Sequence, residues 1–67
     1  GTEIWVNFTE TESGVLCELR SAGVNINPIA VKYGGGGHAK ASGATVKDKA
    51  TAMEMLADLD KIAGGIQ

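Results

Sequence analysis

The chain has 67 residues, a formal net charge of −2 and one cysteine. This length allows one small domain. The balanced charge argues against the broad basic surface that many nucleic-acid-binding proteins use. No apolar run approaches the ~18 residues of a membrane-spanning helix. A single cysteine excludes an internal disulfide, and with one histidine it leaves no metal cluster. We therefore expect a cytoplasmic protein with no membrane contact and no metal site in this chain.

Two strands open the chain. Residues 3–9 alternate between apolar and other side chains, and residues 15–21 do the same. A polar turn that ends in Gly14 separates them, so the sequence predicts an antiparallel hairpin. Within the second strand Val15, Cys17 and Leu19 share one face, and Cys17 is predicted to be a small core residue. Arg20 and Ser21 lie at its end.

A short helix is predicted next, with Asn27 as its N-cap and Pro28 at its first position. A third strand follows at residues 41–47, and a second helix runs from the capping Asp48 to about residue 63, where Gly64 and Gly65 end it. The fold class is therefore α/β in the broad sense, or α+β. We expect a small mixed sheet of about three strands with two helices, in the order β-β-α-β-α. We expect the whole chain, residues 1–67, to form one small domain that is a module of a longer protein.

Four consecutive glycines at residues 34–37, followed by His38, stand between the first helix and the third strand. A helix end needs about one glycine, and ordering each further one costs roughly 0.5–1 kcal/mol more than ordering alanine. Backbone amides without neighbouring Cβ atoms form concave anion sites. The stretch is therefore predicted to bind phosphate, with a guanidinium from Arg20 beside it. The plainer alternatives are a flexible connector for the glycines and an exposed ion pair with Glu18 for Arg20.

Familiar catalytic patterns do not fit these residues. The glycines are not a P-loop, because no Gly-Lys-Ser/Thr follows and no helix begins there. A dinucleotide fingerprint needs a strand before the glycines and a helix after them, which is the reverse of the predicted order. His38 has no evident orienting partner for acid–base catalysis. No catalytic residue is therefore predicted within this chain.

The segments Leu-Arg-Ser at 19–21, Gly-Gly-Gly-Gly-His at 34–38 and Ala-Ser-Gly at 41–43 together resemble the DHH-associated C-terminal domain of DHH-family phosphoesterases. The resemblance is strongest to the nano-RNase and phosphoadenosine-phosphatase type, also called exopolyphosphatase-related. It implies a substrate-binding role for seven residues: Arg20, Ser21, Gly35, Gly36, Gly37, His38 and Ser42. It also implies that two metal ions, usually Mn²⁺, are held by a separate N-terminal DHH domain, so this chain alone would not hydrolyse a substrate.

The implied partners are that N-terminal domain and the phosphate of a short oligonucleotide or nucleotide. Oligoribonucleotide, phosphoadenosine phosphate, cyclic dinucleotide and polyphosphate all remain open as substrates. A second possibility is a non-catalytic nucleic-acid-binding module like the C-terminal domain of alanyl-tRNA synthetases. A third is a packing domain whose glycines only permit close docking, in which case Arg20→Ala would change stability or association and leave turnover in the parent protein intact.

Overall fold

The computed structural model describes residues 3–63. Its elements follow one another in chain order: β1 (Ile4–Thr11), β2 (Gly14–Ser21), α1 (Asn27–Lys32), β3 (Gly36–His38), β4 (Ala41–Val46) and α2 (Lys49–Ile62). Both predicted helices and all three predicted strands are present, and the α+β class is confirmed. Gly64 and Gly65, predicted to end the second helix, lie outside the described residues.

The sheet differs from the prediction in one strand and in direction. Within residues 3–63 it has four strands in the order β1-β2-β4-β3, and every neighbouring pair is antiparallel. The added strand β3 contains two of the predicted loop glycines and His38. A two-residue turn, Ala39–Lys40, reverses the chain between β3 and β4. Because of this extra reversal β4 runs antiparallel to β2, so the sheet is antiparallel throughout these residues and not mixed as predicted.

One face of the sheet, the covered face, carries the core. Leu19 and Cys17 of β2 are fully buried there against Met55 and Leu59 of α2 and Ala30 of α1. The predicted core role of Cys17 is confirmed, and burial raises the pKa of its thiol. The thiol therefore stays protonated at neutral pH and has little nucleophilic character.

The helix ends match the sequence unequally. Asp48 caps α2 as predicted, since its carboxylate accepts hydrogen bonds from the Thr51 amide at 2.9 Å and the Thr51 hydroxyl at 2.8 Å. The prediction that Asn27 caps α1 is wrong: Ile26 occupies that position and no side chain caps the helix. Asn27 instead donates from Nδ2 to Oγ of Ser42 at 3.3 Å, which ties the start of α1 to β4.

A polar cluster joins the end of α1 to α2. The carboxylate of Asp58 accepts from Nζ of Lys32 and from the hydroxyl of Tyr33, each at 2.8 Å. The hydrogen bond from Lys32, followed by that from Tyr33, holds the pKa of Asp58 below its ordinary value. This cluster fixes the helix end from which the glycines depart. Neither α1 nor α2 is long and apolar enough to cross a membrane.

Candidate functional site

The four glycines divide into two structural units. Gly34 and Gly35 close the C-terminus of α1: the Gly34 amide donates to the Val31 carbonyl at 3.0 Å, and the Gly35 amide donates to the Ala30 carbonyl at 2.8 Å. With Tyr33 as C-cap, these two bonds form a Schellman motif, and the φ of +88° at Gly34 is the left-handed conformation it requires. The amides of Gly34 and Gly35 are therefore bonded within the protein.

Gly36 and Gly37 belong to the edge strand β3. Pairing with β4 uses one side of this strand, while the other side has no neighbouring strand within residues 3–63. In an antiparallel ladder the amides point alternately towards the partner strand and away from it. Among Gly36, Gly37 and His38, at least one N–H group therefore points to the free edge, where it is available to an anion.

A steric clash or a positive φ explains why three of the four positions are glycine. A Cβ at Gly35 would overlap the Gly43 carbonyl oxygen, and one at Gly37 would lie 2.6 Å from the Ala41 carbonyl oxygen. Gly34 and Gly37 also have positive φ. A Cβ at Gly36 would meet nothing within 4 Å, and its φ is an ordinary one. The fold therefore gives no steric reason for glycine at position 36.

The opposite side of the sheet, the open face, brings the predicted phosphate-binding side chains together. Cross-strand partners lie on the same face. Trp5 pairs with Arg20, Arg20 pairs with Ala41, and Ala41 pairs with His38, which makes one row across all four strands. With strands about 4.8 Å apart, the backbones of Arg20 and His38 are separated by roughly 10 Å. Only the methyl group of Ala41 stands between them in that row.

A second row lies beside the first. Asn7 pairs with Glu18, Glu18 with Gly43, and Gly43 with Gly36. The amide Nδ2 of Asn7 donates to the Glu18 carboxylate at 3.4 Å. The open face therefore carries small residues near β3, and larger polar and aromatic side chains near β1. These eight residues define it: Trp5, Asn7, Glu18, Arg20, Gly36, His38, Ala41 and Gly43.

The charged and ring groups of the first row are not engaged by the protein. Within residues 3–63 the side chains of Arg20, His38 and Trp5 make no hydrogen bond and no ion pair, and all three are exposed. The ion pair between Arg20 and Glu18 that the plainer alternative requires is not formed. A guanidinium, an imidazole and an indole N–H are thus all available as donors on one face.

The two predicted serines lie on the other side of the sheet. Ser42 is buried, donates from Oγ to the His38 carbonyl at 2.6 Å and receives the bond from Asn27. Ser21 is buried too: its Oγ accepts from the Gly23 amide at 3.1 Å, and its own amide donates to the Lys40 carbonyl at 2.9 Å. The Ser42 hydroxyl and the Ser21 amide thus both bond to residues at the β3–β4 turn. That turn places His38 in the same row as Arg20.

One other depression in the surface suits an anion less well. A groove of about 590 Å³ lies on the covered side between β1 and α2, and its lining is apolar except for Asp60. A divalent metal fits no better, because within residues 3–63 no three His, Cys, Asp or Glu side chains cluster. The donors of this part of the chain therefore do not match a pair of Mn²⁺ ions.

Comparison with known proteins identifies the family of this chain. The family model described as the DHHA1 domain matches residues 1–65. The bifunctional oligoribonuclease and PAP phosphatase NrnA of Mycoplasma genitalium is 43% identical over 60 residues, which cover 88% of this chain and 19% of that protein. Its Bacillus subtilis counterpart is 42% identical over 62 residues, covering 92% and 20%. That of Thermus thermophilus is 46% identical over 48 residues, covering 70% and 15%.

The chain spans about a fifth of the length of these relatives. The match extends over nearly the whole of the present sequence and includes every residue of the open face. The protein therefore belongs to the DHHA1 domain family.

Proposed function

We propose that this chain is the substrate-recognition domain of a DHH-type phosphodiesterase that acts on short oligoribonucleotides or phosphoadenosine phosphate. One observation carries the proposal: Arg20 and His38 stand in a single row across the open face, unpaired within the described chain, with only Ala41 between them. The names of the relatives, an oligoribonuclease and PAP phosphatase, support the substrate class.

In this proposal the phosphate lies over Ala41 and the neighbouring glycines. The Arg20 guanidinium binds two of its oxygens, and the His38 imidazole donates to a third from the other side. The free N–H of β3 adds a further donor at the sheet edge. Gly36 and Gly43 let the sugar–phosphate backbone lie close to the sheet, because no side chain rises there.

Hydrolysis itself needs groups that this chain does not supply. We place the Mn²⁺ pair and its ligands in an N-terminal DHH domain, where such ions would activate water and stabilise the leaving oxygen. The present residues bind and orient the substrate phosphate, and Arg20 and His38 offset the negative charge that increases in the transition state.

The binding step is tested by titrating a 5′-phosphorylated diribonucleotide into the chain and following amide and side-chain NMR signals. We expect shifts at Gly36, His38 and Arg20. Arg20→Ala should weaken binding about tenfold or more, since hydrogen bonds to charged groups contribute about 1.5–3 kcal/mol. Lys47→Ala removes an exposed cation outside the open face, and its affinity should stay at the wild-type value. Equal affinities of the Arg20→Ala and wild-type chains would contradict the proposal.

The catalytic contribution is tested in the full-length protein that carries this domain. His38→Ala should lower kcat/KM for a diribonucleotide at least about tenfold while leaving the folded structure intact, because His38 is exposed and makes no side-chain contact that stabilises the fold. Full activity of the His38→Ala protein would remove the imidazole from the proposal. Intact turnover of Arg20→Ala together with lost stability would favour the packing-domain alternative.

A further inference from the structure

The open face has a second feature beside the predicted phosphate site. Trp5, Asn7, Glu18 and Arg20 line a shallow cavity of about 200 Å³ on the β1 side, with Val6 at its base. From it we infer a nucleobase subsite: the base of the bound nucleotide stacks on Trp5, and its polar edge meets Glu18. This inference rests on the proposed function, because Arg20 belongs to both sites.

The exposure of Trp5 is the first argument. A tryptophan is a large apolar side chain, yet 55% of this one is exposed, and its indole N–H has no partner within residues 3–63. On the covered face the ring could have packed into the core, but the alternation of β1 places Trp5 on the open face. An exposed aromatic ring beside a cation is the arrangement on which single-stranded nucleic-acid bases stack, at roughly 1–3 kcal/mol per base.

The position of Trp5 is the second argument. It is the direct cross-strand neighbour of Arg20, on the side away from His38. Apart from the His38 imidazole itself, the next aromatic ring along this row from a phosphate held between Arg20 and His38 is Trp5, across the guanidinium. The order along the row is imidazole, phosphate, guanidinium and indole, so a nucleotide with its phosphate at Ala41 can extend its base over β1.

The polar lining gives the subsite a preference. Glu18 lies two residues from Arg20 on the same strand, a step of roughly 6.8 Å, and the Asn7 amide holds its carboxylate. A carboxylate only accepts hydrogen bonds, so it pairs with the exocyclic amino group of cytosine or adenine and repels the O4 oxygen of uracil.

The stacking part is tested with two ligands that share a phosphate and differ in the base. Adenosine 5′-phosphate and ribose 5-phosphate are titrated separately into the chain, and NMR signals are followed at both ends of the site. The sequence contains one tryptophan, so one indole N–H signal reports on Trp5 alone. We expect both ligands to shift Gly36 and His38, and only the adenosine ligand to shift the indole signal and to bind roughly tenfold tighter.

Variants separate stacking from folding. Trp5→Ala should remove the advantage of adenosine 5′-phosphate over ribose 5-phosphate, and Trp5→Phe, which keeps a smaller ring, should retain part of it. The control is Phe8→Ala, which removes a partly exposed aromatic from the same strand on the opposite side of the sheet. Its advantage for the adenosine ligand should remain.

The preference is tested with cytidine and uridine 5′-phosphates, which share a ring size and differ at the exocyclic group. Cytidine should bind about threefold tighter or more, and Glu18→Gln should abolish the difference, because an amide both donates and accepts. Equal binding of the two nucleotides to the wild-type chain would overturn the role of Glu18.

The outcomes also distinguish the subsite from the proposed function. If both phosphate ligands shift Gly36 and His38 with equal affinity while the indole signal stays fixed, the subsite is overturned and the phosphate site stands. If neither ligand shifts any of these signals, the phosphate site fails and the subsite fails with it.

Discussion

Leu19 and Arg20 are neighbours in the chain and opposites in the structure. Leu19 is fully buried on the covered face, while Arg20 is exposed on the open face. The two faces also differ in how their polar groups are bonded. Within residues 3–63 every buried side-chain polar atom has a hydrogen-bond partner. On the open face the guanidinium of Arg20, the imidazole of His38 and the indole N–H of Trp5 have none there. Stability therefore rests on one face, and unused binding capacity is concentrated on the other.

Truncation of the covered face should have the largest effect on stability. Leu19→Ala removes a fully buried side chain that packs against both helices, and we expect a loss of about 2–5 kcal/mol in the free energy of unfolding. Arg20→Ala, one residue away, should change it by less than about 0.5 kcal/mol. Chemical denaturation of both variants measures the two values. Similar losses in the two variants would mean that Arg20 supports the fold.

The glycine stretch should show the same contrast over two adjacent residues. At Gly35 a methyl group would overlap the Gly43 carbonyl, so Gly35→Ala should destabilise the fold by about 1–3 kcal/mol. At Gly36 the methyl group enters open space, so Gly36→Ala should leave stability within about 0.5 kcal/mol. Gly36→Ala should nevertheless weaken diribonucleotide binding, because its methyl group takes up space beneath the proposed phosphate. Denaturation and titration of both variants test this, and undiminished binding by Gly36→Ala would restrict the site to Arg20 and His38.

The covered face was easier to predict than the open one. The alternation in β1 and β2 and the apolar spacing of α2 report burial directly, and Asp48 is a strong local cap signal. Strand β3 gave no such signal, because Gly-Gly-His has little strand propensity. Because β3 was not predicted, the chain reversal that makes β4 antiparallel to β2 was not predicted either.

The arrangement of the candidate site residues on the open face was predictable in part. The local motif picked out Arg20 and His38, and the structure brings them into one row. The division of the glycines between a helix cap and an edge strand depends on hydrogen bonds that no composition shows. Trp5 was overlooked, although the predicted alternation and a two-residue hairpin turn would have placed it opposite Arg20.

The polar cluster between the helices should make a smaller contribution to stability. Tyr33→Phe removes the hydroxyl that donates to Asp58 and keeps the ring, so we expect a loss of about 1 kcal/mol. The matched comparison is Lys49→Met, which breaks the exposed ion pair with Glu10 and should cost less than about 0.5 kcal/mol. Denaturant midpoints of the two variants give the difference. A larger loss in Lys49→Met would contradict the view that the α1–α2 link matters more than surface charge.

The smallest expected effect is on the free energy of unfolding at acidic pH. Hydrogen bonds from Lys32 and then Tyr33 lower the pKa of Asp58 in the folded protein from its ordinary value of 3.8. A carboxyl with a lowered folded pKa stabilises the fold fully above its unfolded pKa, and this contribution is lost as the pH falls through the folded pKa. The free energy of unfolding should therefore decline below about pH 3.8, and Asp58→Asn should flatten that decline.

Because neither Asp58 nor its partners lie on the open face, nucleotide affinity at neutral pH should be the same in Asp58→Asn and the wild type. A changed affinity would show that the end of α1 transmits its position to β3 through the Schellman motif.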